Sequence, residues 1–240
     1  YHSHSIEFEV RKMMSSRLVS FLSRILEKYV FKFSDIATSV STIEKQKIKK
    51  LYNVKVINLK NGVSRKVLNF NKRKIYSFDY IIYCGSYSYL PNKLAIDFII
   101  DQLMPKLIKN HPKIKLILTG GGYEKKRNYL KNLGIVSKRK LLNLIYNSKV
   151  MLVPLSKGTG TRIKIIEALL VGAKIITTKK GIEGIKINNR NSKMPTITEK
   201  KNFVKEIELI LKKKSAKKIS NKIFNIYYME TIVKNFLKNN

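Results

Sequence analysis

Apolar residues follow two spacings along the chain, and the two alternate. Short unbroken runs at Asp79–Gly85, Lys113–Thr119, Lys149–Val153 and Ala173–Thr177 predict strands buried on both faces. Leu133–Val136 reads as a further short strand. Between the runs the spacing becomes helical. Helices are expected over Lys93–Asn110, Ser137–Asn147, Lys201–Lys214 and Phe224–Leu237. Ile163, Ile166, Leu169 and Leu170 mark another, with Thr161 as its expected N-cap. The first sixty residues alternate in the same way. Met14, Leu18, Phe21, Leu22, Ile25, Tyr29 and Val30 share one helical face. A strand is expected within Asp35–Ser41, a helix over Thr42–Tyr52 and a strand at Val54–Ile57. Strand-helix alternation of this kind implies a doubly wound parallel sheet that binds ligands at its strand C-termini.

The pattern fades over residues 64–78, which are polar and basic and read as a linker between two lobes. The expected division is 1–63 as part of a first lobe and 79–223 as a second. Residues 224–240 form a terminal helix. Gly120-Gly-Gly122 lacks the spacing of a dinucleotide fingerprint and the Lys-Ser/Thr of a phosphate loop, so it reads as a turn.

One stretch carries more chemistry than pattern. Pro154 ends the Lys149–Val153 run, and Gly158-Thr-Gly-Thr-Arg-Ile-Lys164 leads into the helix holding Glu167. A strand, a glycine loop and a helix start gather free backbone N–H groups and the positive end of the helix dipole, which suits an anion. Arg162 and Lys164 add full charges, and Glu167 can accept hydrogen bonds from paired hydroxyls such as those of a ribose.

The string Gly158, Gly160, Thr161, Arg162, Lys164, Glu167 and Ala168 resembles the donor motif of GT-B glycosyltransferases of the group 1 type, in the Gly-Thr-Arg-x-Lys-x-x-Glu-Ala branch. Other segments follow the same resemblance in order. They are His4-Ser-Ile-Glu7, Asp35 to Val40-Ser41, Asn61-Gly-Val63, Gly85-Ser86 with Pro91-Asn92, and Gly181 to Gly184. The resemblance implies an α/β fold of GT-B type with two Rossmann-like lobes, the first incomplete in this chain. It implies hexosyl transfer from a nucleotide-sugar to an acceptor hydroxyl with retention, without a metal or other cofactor. Gly85, Thr161, Arg162, Lys164 and Glu167 would bind the donor, Glu167 at the ribose, and His4 would lie by the reacting carbon. The family's first motif glutamate falls on Thr159, which leaves the sugar contact unfilled.

Charge widens the choice of partners. Lys and Arg number 50 against 15 Asp and Glu, a formal net charge of +35, which attracts phosphates, anionic lipid or nucleic acid. The absence of helix-turn-helix, zinc-finger and RNP patterns argues against specific nucleic-acid recognition. The basic amphipathic helix within Arg11–Phe33 suits an anionic membrane surface. A cytoplasmic enzyme, peripheral on the inner membrane face and acting on a glycan or lipid-linked acceptor, is the expectation. A catalytically inactive nucleotide-sugar-binding module and a basic nucleic-acid-binding protein are the alternatives. Cys84 is the single cysteine, so no internal disulfide forms.

Overall fold

The structure is a computed structural model, and it describes residues 1–64, 70, 72–185, 195–212 and 227–238. Two parallel sheets organise it. The first carries β1 (His2–Ser3), β2 (Thr38–Ser39) and β3 (Ile57–Asn58) in sequential order. Its helices are α1 (Glu7–Met14), α2 (Arg17–Lys32) and α3 (Thr42–Tyr52). The second sheet has six strands, β4 (Tyr80–Cys84), β5 (Lys115–Thr119), β6 (Leu130–Asn132), β7 (Val150–Val153), β8 (Ile175–Thr177) and β9 (Thr196–Ile197). Their spatial order is β6-β5-β4-β7-β8-β9, every pair parallel. The order reverses between β4 and β7, and the crevice outside such a switch point is where open α/β sheets bind ligands.

The strand runs form as their composition dictates. Every residue of β4 and β7 is buried, so both faces of the second sheet are covered by helices. Those helices are α4 (Leu90–Asp97), α5 (Met104–Asn110), α6 (Lys138–Asn147), α7 (Ile163–Leu170) and α8 (Phe203–Lys212). The expected helix Lys93–Asn110 is widened into a π-turn over Phe98–Leu103, immediately before Pro105. A proline there cannot donate to the carbonyl four residues back and crowds it, and the wider turn absorbs the mismatch. The strand expected at Leu133–Val136 lies instead at Leu130–Asn132. The Asn132 side chain accepts from the Gly134 amide at 3.2 Å, Gly134 has φ +58°, and Ile135 is 87% exposed. Those residues turn away from the sheet. Pairing at Val54–Ile57 is likewise confined to Ile57–Asn58.

The first lobe has a smaller core of Ile6, Phe31, Ala37, Ile48, Tyr52 and Val56. A buried carboxylate organises it. Glu27 of α2 accepts from the Glu7 and Phe8 amides at 2.8 and 3.1 Å and from the Tyr52 hydroxyl at 2.6 Å. It thereby satisfies the N-terminus of α1, whose own N-cap, Ile6, has no side chain to do so. The amphipathic face of α2 is largely exposed. Leu18, Phe21, Leu26 and Phe33 are 58–75% exposed, and only Ser20, Glu27 and Phe31 of the helix are buried.

The last described helix, α9 (Met229–Lys238), starts against the end of the first lobe. Val63 donates to the Tyr227 carbonyl at 2.7 Å. A Cβ on Gly62 would stand 2.7 Å from the Met229 Cα. The start of the helix expected from Phe224 lies outside the described residues, as do linker residues 65–69 and 71 and the basic run after Lys212.

Candidate functional site

The two loops at the switch point are the one leaving β4 and the one leaving β7. Gly85 closes β4, its amide donating to the Thr119 carbonyl at 2.8 Å. Asn92, in the first turn of α4, lies beneath it. A Cβ on Gly85 would stand 2.7–2.8 Å from the Asn92 side chain, which no shift of a well-packed amide relieves cheaply. Asn92 is a hub: Nδ2 donates to the Ser86 carbonyl at 3.0 Å, while Oδ1 accepts from the Tyr83 hydroxyl at 2.8 Å and Lys164 Nζ at 3.3 Å. The sequence placed Asn92 in a motif but gave it no role. Its position under a glycine at a strand end is visible only once β4 and α4 are packed.

Lys164, on the first turn of α7, is half-buried, with its ammonium turned inward. Its ammonium donates to the Cys84 carbonyl at 2.7 Å and sits 4.6 Å from the Tyr83 ring centroid. No carboxylate is within ion-pair distance of it among the described residues. Burial pushes its pKa down to about 8. An unneutralised buried cation at a strand C-terminus is an electrostatic seat for an anion. Burial also pushes the neighbouring Cys84 thiol up to about 11.

Arg162, expected to add a full charge for the donor, is held by its own loop. Its Nη1 donates to the Thr159 carbonyl at 2.7 Å and to the Gly160 carbonyl, folding the guanidinium back on its own loop. Arg162 is also the N-cap residue of α7, with no side-chain cap bond. Thr161 is therefore not the N-cap. Its hydroxyl instead approaches the Val40 carbonyl of the first lobe at 3.5 Å.

Glu167 is 5% exposed and pairs with Lys138 at the start of α6. The Lys138 side chain is 53% exposed, so it can turn to water when another donor takes the carboxylate. Glu167, Lys138 and Lys164 all lie close enough to Cys84 to affect its charge state, which places them around the end of β4.

His4 approaches from the first lobe. It is exposed, and its ring meets His2 edge-on at 4.6 Å between centroids. His2 in turn contacts Thr38 through Nδ1 at 2.7 Å, and burial lowers its pKa. A Cβ on Gly160 (φ +79°) would stand 2.7 Å from the His4 carbonyl. Glycine there lets the Gly158–Arg162 loop and the histidine strand touch. The Gly158–Arg162 loop, with Thr161 and Arg162, thus meets the His4 strand at the seam between the lobes, while Gly85, Lys164 and Glu167 gather around the end of β4.

A separate cavity of about 740 Å³ is lined by Phe78, Asp79, His111, Lys113 and Lys149 among others. It lies at the N-terminal ends of β4, β5 and β7, opposite the crevice. Strand C-termini and the α7 N-terminus point away from it, so it is not the candidate site.

With the geometry in place, comparison with known proteins decides the family. A family model described as glycosyl transferases group 1 matches residues 79–213, more than half of the chain. The chain belongs to the group 1 glycosyltransferases. No curated protein matches it by sequence. Solved structures with the same fold include sucrose-phosphate synthase from Thermosynechococcus elongatus, with a TM-score of 0.72 at 14% identity. The match covers 99% of this chain and 66% of that one. HepE of Anabaena, in complex with UDP and glucose, has a TM-score of 0.70 at 15% identity over 100% of this chain and 70% of its own. A mutant of S. aureus TarM, in complex with Fondaparinux, alpha-GlcNAc-glycerol and UDP, has a TM-score of 0.71 at 13% identity. There 99% of this glycosyltransferase-family chain aligns with 49% of TarM. The fold is GT-B, and this chain spans about half to two thirds of the length of these neighbours.

Proposed function

We propose that the switch-point crevice binds a nucleotide-sugar and that the protein transfers the sugar to an acceptor hydroxyl. One observation carries this reading: Gly85, the Gly158–Arg162 loop, the α7 N-terminus and the unneutralised Lys164 converge where the sheet order reverses. A diphosphate suits that charge. Glu167 then exchanges Lys138 for ribose hydroxyls. In transfer, the bond from the anomeric carbon to the diphosphate breaks, the acceptor oxygen bonds to that carbon, and the acceptor proton leaves. Negative charge grows on the departing diphosphate, and in this reading Lys164 and the α7 amides stabilise it. In this reading His4 hydrogen-bonds a sugar hydroxyl. Retention of configuration and independence from metal are part of this reading, as the sequence resemblance implies them.

A thermal-shift panel of UDP-, GDP- and ADP-glucose tests the reading. Any donor present at 100 times its dissociation constant stabilises the folded chain by about 2.7 kcal/mol. Stabilisation by one base above the others names the donor. No shift with any of them removes the donor-binding reading. Binding without turnover of any acceptor would leave a nucleotide-sugar-binding module, as the Thr159 departure allows.

The acceptor side has its own observation. Among the described residues no helix is long and apolar enough to cross a membrane. Yet α2 exposes Leu18, Phe21, Leu26 and Tyr29 beside Arg17, Arg24, Lys28 and Lys32. The occupant proposed for this face is an anionic membrane surface at which a lipid-linked or envelope-glycan acceptor is met. Each basic residue near such a surface contributes about 1 kcal/mol. Co-sedimentation with phosphatidylglycerol vesicles at low salt, lost at high salt and with Phe21→Glu, supports docking. Concentration-dependent self-association without vesicle binding would assign the face to a protein contact instead.

A further inference from the structure

Buried polar atoms without hydrogen-bond partners are rare in folded proteins, and each leaves a desolvation cost unrelieved. Among the described residues they are Glu44 Oε1 and Oε2, Asn58 Oδ1, Thr159 Oγ1 and Arg162 Nη2. All five lie along the seam between the two lobes. Glu44 and Asn58 stand on the first-lobe side, at the start of α3 and the end of β3. Thr159 and Arg162 stand on the donor loop facing them.

Glu44 is the most exacting of these. It occupies the third position of α3, behind the Ser41 N-cap, whose Oγ accepts from the Glu44 amide at 3.1 Å. A glutamate in that position commonly turns back to the cap residue's own amide. Here the carboxylate is 5% exposed; the Gly160 amide points to it, and neither oxygen completes a hydrogen bond. The charged groups facing it are Arg162 from the donor loop, Lys47 on its own helix and Glu9 from α1, together with the Gly160 amide. Lys47 is already paired with Glu9 at 3.1 Å. The cation left for Glu44 is Arg162, whose Nη1 is spent on loop carbonyls and whose Nη2 is unpaired; the other carboxylate facing Arg162, Glu183, is already paired with Lys180.

We infer that Glu44 is a positioning residue for the donor site: with Arg162 it forms a latch across the seam that closes when the loop takes up its ligand. On closing, Arg162 Nη2 and the Gly160 amide donate to the two Glu44 oxygens, and the loop is fixed against the first lobe. The inference rests on the nucleotide-sugar reading of the crevice.

The latch has a proton signature. Burial raises the unpaired Glu44 carboxyl to about 7, against the pull of Gly160, Arg162 and Lys47. Pairing with Arg162 favours the ionised form and returns the pKa downward. Closure near neutrality therefore releases a proton. Donor affinity rises with pH up to about 7 and then levels, because above that value the carboxylate is already ionised before closure.

Titration calorimetry with UDP-, GDP- and ADP-glucose, in buffers of different ionisation enthalpy at pH 7, reads this directly. These diphosphate diesters do not titrate near neutrality, so protons released come from the protein. The wild-type chain is expected to release about half a proton per site on binding its preferred donor. Glu44→Gln should release none of this proton and bind about tenfold more weakly, and Glu44→Asp should restore release in part. Thermal melts of both variants show whether they fold; where Glu44→Gln does not, Glu44→Asp and Arg162→Lys carry the comparison. Donor binding with the same proton release in wild type and Glu44→Gln would overturn the latch and leave the donor site standing. Failure of all three nucleotide-sugars to bind the wild type would overturn the donor reading and the latch together.

Discussion

Lys164 shows how much a residue's chemistry depends on where the fold puts it. In the sequence it is one cation in a basic motif. In the structure its ammonium is buried against Cys84, Asn92 and Tyr83 with no carboxylate partner. A lysine held at a pKa of about 8 loses its charge as pH rises through that value. Donor affinity should therefore fall above pH 8, and Lys164→Met should bind more weakly at pH 7 and lose that fall. An unaltered alkaline limb in the variant would assign the titration to another group. Glu167 makes the complementary prediction. Glu167→Ala removes an acceptor whose hydrogen bonds to ribose are worth about 1.5–3 kcal/mol. Because Lys138 can turn to water, the melting temperature should change little while affinity falls about 10- to 100-fold. The family resemblance made Glu167 a candidate ribose acceptor from its place in the motif. It did not reveal Glu44, because a glutamate three residues after a serine cap reads as a capping box. Only the packing of α3 against the donor loop turns that carboxylate into an orphan.

At the level of elements, β4, β5, β7 and β8 and the helix over Thr42–Tyr52 could be read from the sequence to within a residue or two, while β9 was not expected. Continuous apolar runs and good caps leave little choice. Failures came where local pairing, not pattern, set the boundary. Leu133–Val136 has strand-like composition, but the Asn132–Gly134 turn removes it from the ladder. The Gly158–Arg162 loop meets the first lobe, and Gly160 sets their approach. Gly160→Ala adds a Cβ at φ +79° that stands 2.7 Å from the His4 carbonyl. The strain of such a backbone is about 1–3 kcal/mol before the clash is counted. Weaker donor binding together with a lower melting temperature is expected, measured by titration and thermal melt. An alanine variant with wild-type binding would mean that the lobes need not touch there. Helix α2 is the opposite case: its amphipathic pattern was plain, and the pattern alone pointed equally to a buried face and to a docking face. The structure leaves that face uncovered by the described residues.

Across the whole molecule the arrangement is asymmetric. The six-stranded lobe carries a continuous core and the family match, and the three-stranded lobe contributes His4, Glu44 and the Val40 carbonyl to the seam. A formal charge of +35 spreads over both. Such a surface attracts any polyanion, so affinity for phosphates alone does not distinguish a donor site from nonspecific binding, and location does. Amide chemical-shift mapping of the isotopically labelled chain, titrated with the nucleotide-sugar that stabilises it most, measures location at moderate salt. A switch-point donor site shifts the amides of Gly85, Ser86 and Thr159–Ile163 together, saturating at one ligand per chain. Shifts scattered over the basic surface, or centred on the Phe78–Asp79 and His111–Lys113 cavity at the other end of the strands, would contradict it.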